Sequence, residues 1–389
     1  MEAVRPEKIV KRLCAAGFPA YYVGGCVRDR LLGRPVHDWD ITTAALPEEV
    51  MALFARCVPT GIRHGTVTVL LDGAQAEVTT FRTEGAYLDG RHPSEVRFVR
   101  TLAEDLSRRD FTINAMAMDA EGNVTDLFGG RDDLARRCIR CVGDPETRFR
   151  EDALRMLRAY RFSAQLGFTL DTATASAVAR CAPLASELSM ERIRDEMEKT
   201  LLSPRPQVLR TMAEAGLLKA AGIDALPELD WLATLPAEPA VRWTGLKVLF
   251  PALEPSRLRL PSRLCSLIGR AASICCPKPD RLTLKRMVAG NGIEAAEIAA
   301  ALSGTQARLA GILASGECVS LGQLAVSGGD LSWLHGRAVG QTLRALLAYV
   351  LLYPEENTRE RLLKLAQTPE LLAELLENTG FSSDGTISG

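Results

Sequence analysis

Two aspartates separated by one residue, Asp38 and Asp40, form the pair of side chains in this sequence with the clearest chemical potential. They belong to the segment His37 to Ile41, in which polar and apolar residues alternate. This alternation predicts a strand with both carboxylates on one face. Two carboxylates this close repel each other unless a divalent cation lies between them, and hard oxygen ligands suit Mg²⁺. The pair therefore predicts a magnesium site that uses Asp38 and Asp40.

A glycine turn and an arginine precede this pair. Gly24 and Gly25 follow a short β-forming run, and they allow a tight turn that exposes N–H groups beside a helix start. Arg28 lies on the first turn of that helix, where a guanidinium can bind phosphate oxygens. With the aspartates, these residues predict a site for a metal-bound nucleoside triphosphate. The alternative is a glycine turn followed by two solvated aspartates.

Two further candidates lie later in the same region. Glu77 is in a predicted strand that follows an Asp-Gly hairpin turn, and it is either a third metal ligand or an ordinary exposed residue, because the sequence does not fix its face. Arg108 and Arg109 precede a run that should be buried, so at least one guanidinium should lie at the edge of a cleft. The alternative is a structural ion pair between Arg109 and Asp110.

A charged helix is predicted over residues 144–167, with Asp144 as its N-cap and Gly167 as its stop. The charged side chains on one side of it are Glu151, Asp152, Arg155, Arg158 and Arg161. On one helix, Asp152 and Arg155 would be neighbours, and such an acceptor–donor pair matches the hydrogen-bonding edge of cytosine or adenine. The last two arginines turn away from that edge and would meet phosphate. The alternative is a solvated face of salt pairs.

Bulk properties limit the class of protein. A chain of 389 residues is expected to form two to four domains. Its net charge of −1 means that any RNA-binding surface would be a segregated basic patch. No apolar run is long enough to span a bilayer, the first residues open no signal peptide, and ten cysteines show no disulfide framework, which favours the cytoplasm. Strands interleaved with helices at first predict a small α/β or α+β head domain, and helices follow almost throughout.

These motifs together resemble the class II CCA-adding enzymes, the bacterial tRNA nucleotidyltransferases related to poly(A) polymerases. The resemblance covers most of the chain and is strongest from Tyr21 to Leu201. The matching segments are, in chain order, Gly24-Gly25 through Arg28 to Asp38-x-Asp40, Arg108-Arg109-Asp110-x-Thr112-x-Asn114, the glycine turn from Asp126 to Arg131, Glu151-Asp152-x-x-Arg155, and Glu191 to Ile193.

The resemblance implies four successive domains. They are a nucleotidyltransferase head with a mixed sheet and helices over residues 1–139, an all-α neck for base recognition over 140–200, a helical body over 201–277 and a helical tail that binds tRNA over 278–389. About the last ten residues are expected to be disordered. The partners implied are the 3′ end and the elbow of tRNA, with CTP and ATP as substrates. The oligomeric state stays open.

The resemblance also implies a role for each candidate. Asp38 and Asp40 are catalytic and hold Mg²⁺, which activates the 3′-hydroxyl and stabilises the leaving pyrophosphate. The remaining roles are triphosphate binding by Gly24, Gly25, Arg28 and Arg109, base reading by Asp152 and Arg155, nucleotide support by Arg158 and Arg161, a supporting position for Glu151 and Asn114, and a flexible loop with Asp89 and Arg91.

Several functions remain compatible with these motifs. His92 stands where the family usually has a second arginine in its flexible loop, which leaves the final addition of A open. A CC-adding enzyme, an A-adding enzyme and a poly(A) polymerase are therefore alternatives to full CCA addition. A non-catalytic tRNA-binding protein on the same fold is a fourth, although such proteins commonly lose the metal carboxylates that are intact here.

Overall fold

The structure is a computed structural model that describes residues 6–84, 96–371 and Glu374. Its backbone divides into two compact units. The first unit comprises Met1–Asp230 with Arg257–Arg259, and the second comprises Trp231–Ser256 and Leu260–Gly389. The first unit thus contains both the predicted head and the predicted neck, while the four-domain division itself stays a prediction.

The first unit contains all the strands that the structure describes. They are β1 (Ala20–Val23), β2 (Asp40–Thr43), β3 (Cys57–Gly61), β4 (Thr66–Leu71), β5 (Ala74–Thr80), β6 (Arg82–Glu84), β7 (Val96–Phe98), β8 (Met116–Met118), β9 (Val124–Asp126), β10 (Cys138–Ile139) and β11 (Thr169–Leu170). Its helices are α1 (Glu7–Ala15), α2 (Gly25–Leu31), α3 (Pro47–Leu53), α4 (Leu102–Ser107), α5 (Gly130–Ala135), α6 (Pro145–Glu151), α7 (Leu154–Leu166), α8 (Thr172–Cys181), α9 (Met190–Leu201) and α10 (Val208–Glu214).

Seven of these strands form one mixed sheet in the order β3-β4-β5-β2-β1-β8-β9. Strands β2 and β5 are parallel, and the other neighbours in this sheet are antiparallel. The predicted Asp-Gly turn connects β4 to β5, with φ of 50° at Asp72 and 79° at Gly73. Left-handed conformations at both positions match the twist of a two-residue hairpin. The predicted mixed sheet and hairpin are therefore confirmed.

The second unit is helical. Its helices are α11 (Asp230–Thr234, which begins at the boundary), α12 (Pro239–Leu249), α13 (Ser262–Ser273), α14 (Arg281–Asn291), α15 (Ile293–Ser303), α16 (Gln306–Ala314), α17 (Arg337–Leu352) and α18 (Arg359–Gln367). Fully buried side chains such as Leu284, Ile312 and Leu346 join helices α14 to α18 into one core. The α+β fold class is confirmed. No helix in the described ranges is long and apolar enough to cross a membrane.

The single helix predicted over residues 144–167 is wrong, because the chain forms two helices there. Asp144 caps α6 as predicted by accepting a hydrogen bond from the Thr147 backbone N–H. At Asp152, however, φ is −148° and ψ is 106°, which ends α6. The Asp152 carboxylate accepts the Leu154 N–H at 3.0 Å at the start of α7. Short polar side chains that bind nearby backbone groups compete with helix continuation in this way.

Candidate active site

The glycine turn lies between β1 and α2. Gly24 has φ of 75° and ψ of −135°, a conformation that glycine adopts without the steric cost of a Cβ atom. A Cβ atom placed there would lie 3.2 Å from Arg109 Nη1 and 3.6 Å from Asp40 Oδ2. The turn therefore brings together a backbone bend, a guanidinium and one of the two predicted metal carboxylates.

The two aspartates lie at the start of β2. The strand begins at Asp40 rather than at His37, and Asp38 is in the bend before it, so the prediction of one strand through both aspartates is wrong. Asp40 pairs in register with Glu77 of the parallel strand β5, which places these two residues on the same face of the sheet. All three carboxylates are exposed to solvent. Glu77 is thus close in the fold to the pair.

The charge state of Asp40 reflects this crowding. Although its side chain is accessible to water, the protein packed around the carboxylate raises its pKa to about 6. The Arg109 cation opposes this rise, and repulsion from Glu77 and Asp38 adds to it. A cation bound at the pair would reverse the shift, because it stabilises both negative charges.

The donor set fits a divalent metal that is shared with a substrate. Across the described residues, no three His, Cys, Asp or Glu side chains are placed to hold one ion, so Glu77 does not complete a three-carboxylate cage in this conformation. Mg²⁺ bound with substrate phosphates needs only one or two carboxylates, since water and phosphate oxygens complete its shell. Asp38 and Asp40 are two candidates for such ligands, and their role, like that of Glu77, stays a prediction.

The Arg109 guanidinium binds the buried carboxylate of Asp105. Asp105, fully buried on α4, accepts a hydrogen bond from Arg109 Nη2 at 3.1 Å and from Arg108 Nη2 at 2.7 Å. The alternative ion pair between Arg109 and Asp110 is therefore wrong. The i,i+4 spacing of Asp105 and Arg109 on one helical turn explains the partner actually used.

Asp110 instead belongs to a chain of hydrogen bonds that leads from α2 to α7. Arg28 donates to both carboxylate oxygens of Asp29, at 3.0 and 2.9 Å, and to Asn114 Oδ1 at 2.7 Å. Asn114 Nδ2 donates to Asp110 Oδ1 at 3.2 Å, and Arg158 binds Asp110 Oδ2 at 2.6 Å. Burial alone would raise the pKa of Asp110, but the Arg158 cation and hydrogen bonds from Arg158 and Asn114 lower it to about 2.

The two predicted base-reading residues lie at the break between α6 and α7. Asp152 accepts from Arg192 of α9 at 2.8 and 3.1 Å. Arg155 is buried and donates to Glu151 at 2.5 Å and to the Arg108 carbonyl at 3.2 Å. Asp152 and Arg155 are thus each fixed by other partners. The alternative of a solvated face is wrong for Arg155, because 7% of this residue is exposed.

Arg161 lies farther along α7 and is equally enclosed. It forms a buried ion pair with Glu196 of α9 at 2.5 Å and donates to Gln165 at 3.0 Å. Burial lowers its pKa, while the Glu196 carboxylate opposes that shift. The neighbouring ring of Phe162 lies 4.0 Å from the Arg161 guanidinium carbon. Arg161 therefore joins α7 to α9, and its predicted contact with a nucleotide stays a prediction.

The structure adds residues that the sequence did not single out as site residues. They are Asp29, Asp105, Phe162, Arg192 and Glu196. Only Asp105 carries a local signal, its helical spacing to the two arginines. Arg192 and Glu196 contact partners some 40 and 35 positions away in the chain, which one sequence does not reveal. The predicted loop residues Asp89 and Arg91, together with His92, lie outside the described residues.

Comparison with known proteins first establishes the class. Residues 20–140 match the family described as the Poly A polymerase head domain. Residues 167–231 match the family described as the probable RNA and SrmB-binding site of polymerase A. These matches cover the mixed sheet with the aspartate pair and the helices α8, α9 and α10. The fold and site thus define a nucleotidyltransferase with a poly(A) polymerase type of head.

Relatives that match along the chain then establish the family. The CCA-adding enzyme of Geobacillus kaustophilus is 40% identical over 385 residues, which is 91% of this chain and 94% of the relative. The CCA-adding enzyme of Limosilactobacillus fermentum is 40% identical over 390 residues, or 94% and 96%. The crystal structure of the Bacillus stearothermophilus CCA-adding enzyme in complex with CTP has a TM-score of 0.79 at 37% identity, covering 97% and 98% of the two chains. The chain belongs to the CCA-adding enzyme family.

Proposed function

We propose that this protein adds the sequence CCA to the 3′ end of tRNA, without a nucleic-acid template, by transferring nucleotides from CTP and ATP. The observation that carries the proposal is that Asp40 and Arg109 both lie beside the Gly24 turn. The chain that contains this arrangement matches CCA-adding enzymes over most of its length. In each step the 3′-oxygen of the RNA forms a bond to the α-phosphorus, and the bond from that phosphorus to pyrophosphate breaks.

Asp38 and Asp40 would hold the divalent ion, for which we propose Mg²⁺ because hard carboxylate oxygens and phosphates suit it. When bound, the ion activates the attacking hydroxyl and neutralises charge that develops on the leaving pyrophosphate. Arg109 would bind the triphosphate from the side of the glycine turn. Arg28 lies under that turn, since a Cβ atom on Gly25 would lie 3.5 Å from its Nη2. Asp29 and Asn114 hold the Arg28 guanidinium in place there, and its contact with the triphosphate stays a prediction.

Asp152 and Arg155 would choose the base. Cytosine and adenine both present an amino donor beside a ring-nitrogen acceptor, which a carboxylate and a guanidinium can match. Arg192 and Glu151 hold these two side chains, so they would meet a nucleotide with little loss of rotamer entropy. Arg158 and Arg161 would support the nucleotide, with their guanidinium groups held by Asp110 and Glu196.

The proposed setting is the cytoplasm. All ten cysteines are free thiols in the structure, and the sequence shows no disulfide framework. Abundant free thiols are usual in a reducing compartment, where tRNA maturation would also take place.

The test uses purified protein, Mg²⁺, a tRNA that lacks its terminal CCA, and labelled CTP and ATP, with products resolved to one nucleotide. Three added residues with both nucleotides and two with CTP alone are expected. Two residues even with ATP would identify a CC-adding enzyme, and extension only of tRNA that ends in CC would identify an A-adding enzyme. A long A tract would identify a poly(A) polymerase.

Variants in the same assay separate an enzyme from a binding protein. Asp40→Asn should abolish incorporation while tRNA binding persists, because it removes one metal carboxylate and no RNA contact. Asp72→Asn is the matched control, since Asp72 is an exposed carboxylate of the same head that pairs only with Lys8 among the described residues. Tight tRNA binding without any incorporation by the unmodified protein would refute catalysis.

A further inference from the structure

Asp105 is a buried carboxylate that accepts hydrogen bonds from three side chains. Its Oδ1 accepts hydrogen bonds from Arg108 Nε at 3.1 Å and Arg108 Nη2 at 2.7 Å. Its Oδ2 accepts from Arg109 Nη2 at 3.1 Å and from the Thr42 hydroxyl at 3.2 Å. Thr42 lies two residues after Asp40 on β2, so one carboxylate joins the strand that bears a predicted metal ligand to the arginine beside the glycine turn.

The orientation of Arg109 follows from these contacts. Its Nη2 is occupied by Asp105, and its Nε is buried and has no hydrogen-bond partner among the described residues. The remaining terminal nitrogen, Nη1, lies on the side of Gly24 and Asp40. Of the three nitrogens, Nη1 therefore faces the place where a triphosphate would lie.

The position of the Arg109 charge points the same way. Asp105 is fully buried and binds Arg109 through Nη2, so it holds the guanidinium in one place at the edge of the site. A fixed positive charge in a partly desolvated position favours an anionic ligand and needs little reorganisation when that ligand binds.

We propose that Asp105 is a positioning residue for triphosphate binding, which holds Arg109 so that Nη1 faces the glycine turn. This inference rests on the proposed nucleotidyl transfer. Asp105 touches no substrate and acts through Arg109. Since every nucleoside triphosphate carries the same phosphates, its effect should be equal for CTP and ATP and absent for tRNA.

The first test is Asp105→Asn, which keeps the side-chain shape and removes the charge. We expect KM for CTP and for ATP to rise about tenfold each, with kcat and the KM for tRNA changed by less than about twofold. The matched control is Asp133→Asn, because Asp133 is also buried and binds an arginine and a threonine, Arg140 and Thr112, without reaching Arg109. A destabilised head that raised KM by itself would show the same change in this control.

The second test asks whether Asp105 acts through Arg109. Arg109→Ala alone should raise KM for CTP, and adding Asp105→Asn to it should change KM by less than about twofold further. Additive effects would show that Asp105 acts independently and would overturn the proposal. So would an unchanged KM in Asp105→Asn. If the unmodified protein incorporated no nucleotide, the proposed function would fail, and direct binding of CTP by calorimetry would still test Asp105.

Discussion

Phe162 should contribute more to stability than a buried phenylalanine usually does. Its ring lies 4.0 Å from the guanidinium carbon of Arg161, 5.2 Å from that of Arg28 and 5.3 Å from that of Arg158. Phe111 meets it edge-on at 5.8 Å. The ring therefore sits where α2 and α7 meet, and it is 5% exposed.

The substitution Phe162→Leu isolates the aromatic part of this contribution. Leucine keeps most of the apolar volume and removes the negative face of the ring. A partly desolvated cation–π contact contributes about 0.5–1 kcal/mol, so three contacts amount to roughly 2 kcal/mol if they are nearly additive. The edge-on pair with Phe111 adds about 0.5–1.5 kcal/mol. Repacking around the smaller side chain costs about 1 kcal/mol in any core.

The matched control is Phe149→Leu. Phe149 is fully buried on α6, and within the described residues no guanidinium lies over its ring. It should therefore show the repacking cost alone. Urea unfolding at pH 7, followed by circular dichroism, measures both variants against the unmodified protein. Phe162→Leu should lower the free energy of unfolding by about 3 kcal/mol more than Phe149→Leu does, from the cation–π contacts and the Phe111 pair together. Equal losses would refute the reasoning that the three cations stabilise the fold through this ring.

Two further predictions concern the carboxylates that bind arginines. The pKa of Asp110 is about 2 in the fold and ordinarily 3.8, so its ionised form stabilises the protein by about 2 kcal/mol above pH 4, and this is lost as the pH falls toward 2. Asp110→Asn should therefore destabilise the protein at pH 7 and do so less at pH 3, as measured by urea unfolding at both; a pH-independent difference would contradict this. Arg192→Met should release Asp152 and lower kcat/KM for CTP and ATP about tenfold, because a partly buried carboxylate loses its charged partner. Arg180→Ala, which loses the exposed pair with Glu146, is its control, and equal losses in the two variants would exclude a specific role for Arg192.

Local sequence patterns were sufficient to predict the turns and the helix cap, because each depends on the backbone conformation of a few neighbouring residues. The positive φ of Gly24, the Asp-Gly hairpin and the Asp144 cap each depend on residues within a few positions of one another. Sequence also placed Asp40 and Glu77 in strands, but their pairing across β2 and β5 is a long-range register. That register was not predictable, because a shift by one residue would move Glu77 to the opposite face.

The break at Asp152 shows why the neck was harder to predict. Its sequence suits a continuous helix, and no glycine or proline interrupts residues 146–166. The break is stabilised by Arg192, which lies on α9 and binds both carboxylate oxygens of Asp152. A tertiary contact of this kind overrides local helix propensity. The sequence thus predicted a side-by-side Asp152 and Arg155 from one continuous helix, whereas in the structure the two residues lie at a break between two helices.

This difference changes how base selection should be understood. On one continuous helix, Asp152 and Arg155 would be two mobile surface side chains that orient separately around each base. In the structure, Asp152 is bound by Arg192, and Arg155 is bound by Glu151 and by the Arg108 carbonyl, one residue before Arg109. The segment proposed to read the base is thereby hydrogen-bonded to the segment proposed to bind the triphosphate. Preorganised groups of this kind lose little entropy when a ligand binds, so the contacts that hold each segment should raise the affinity for the nucleotide.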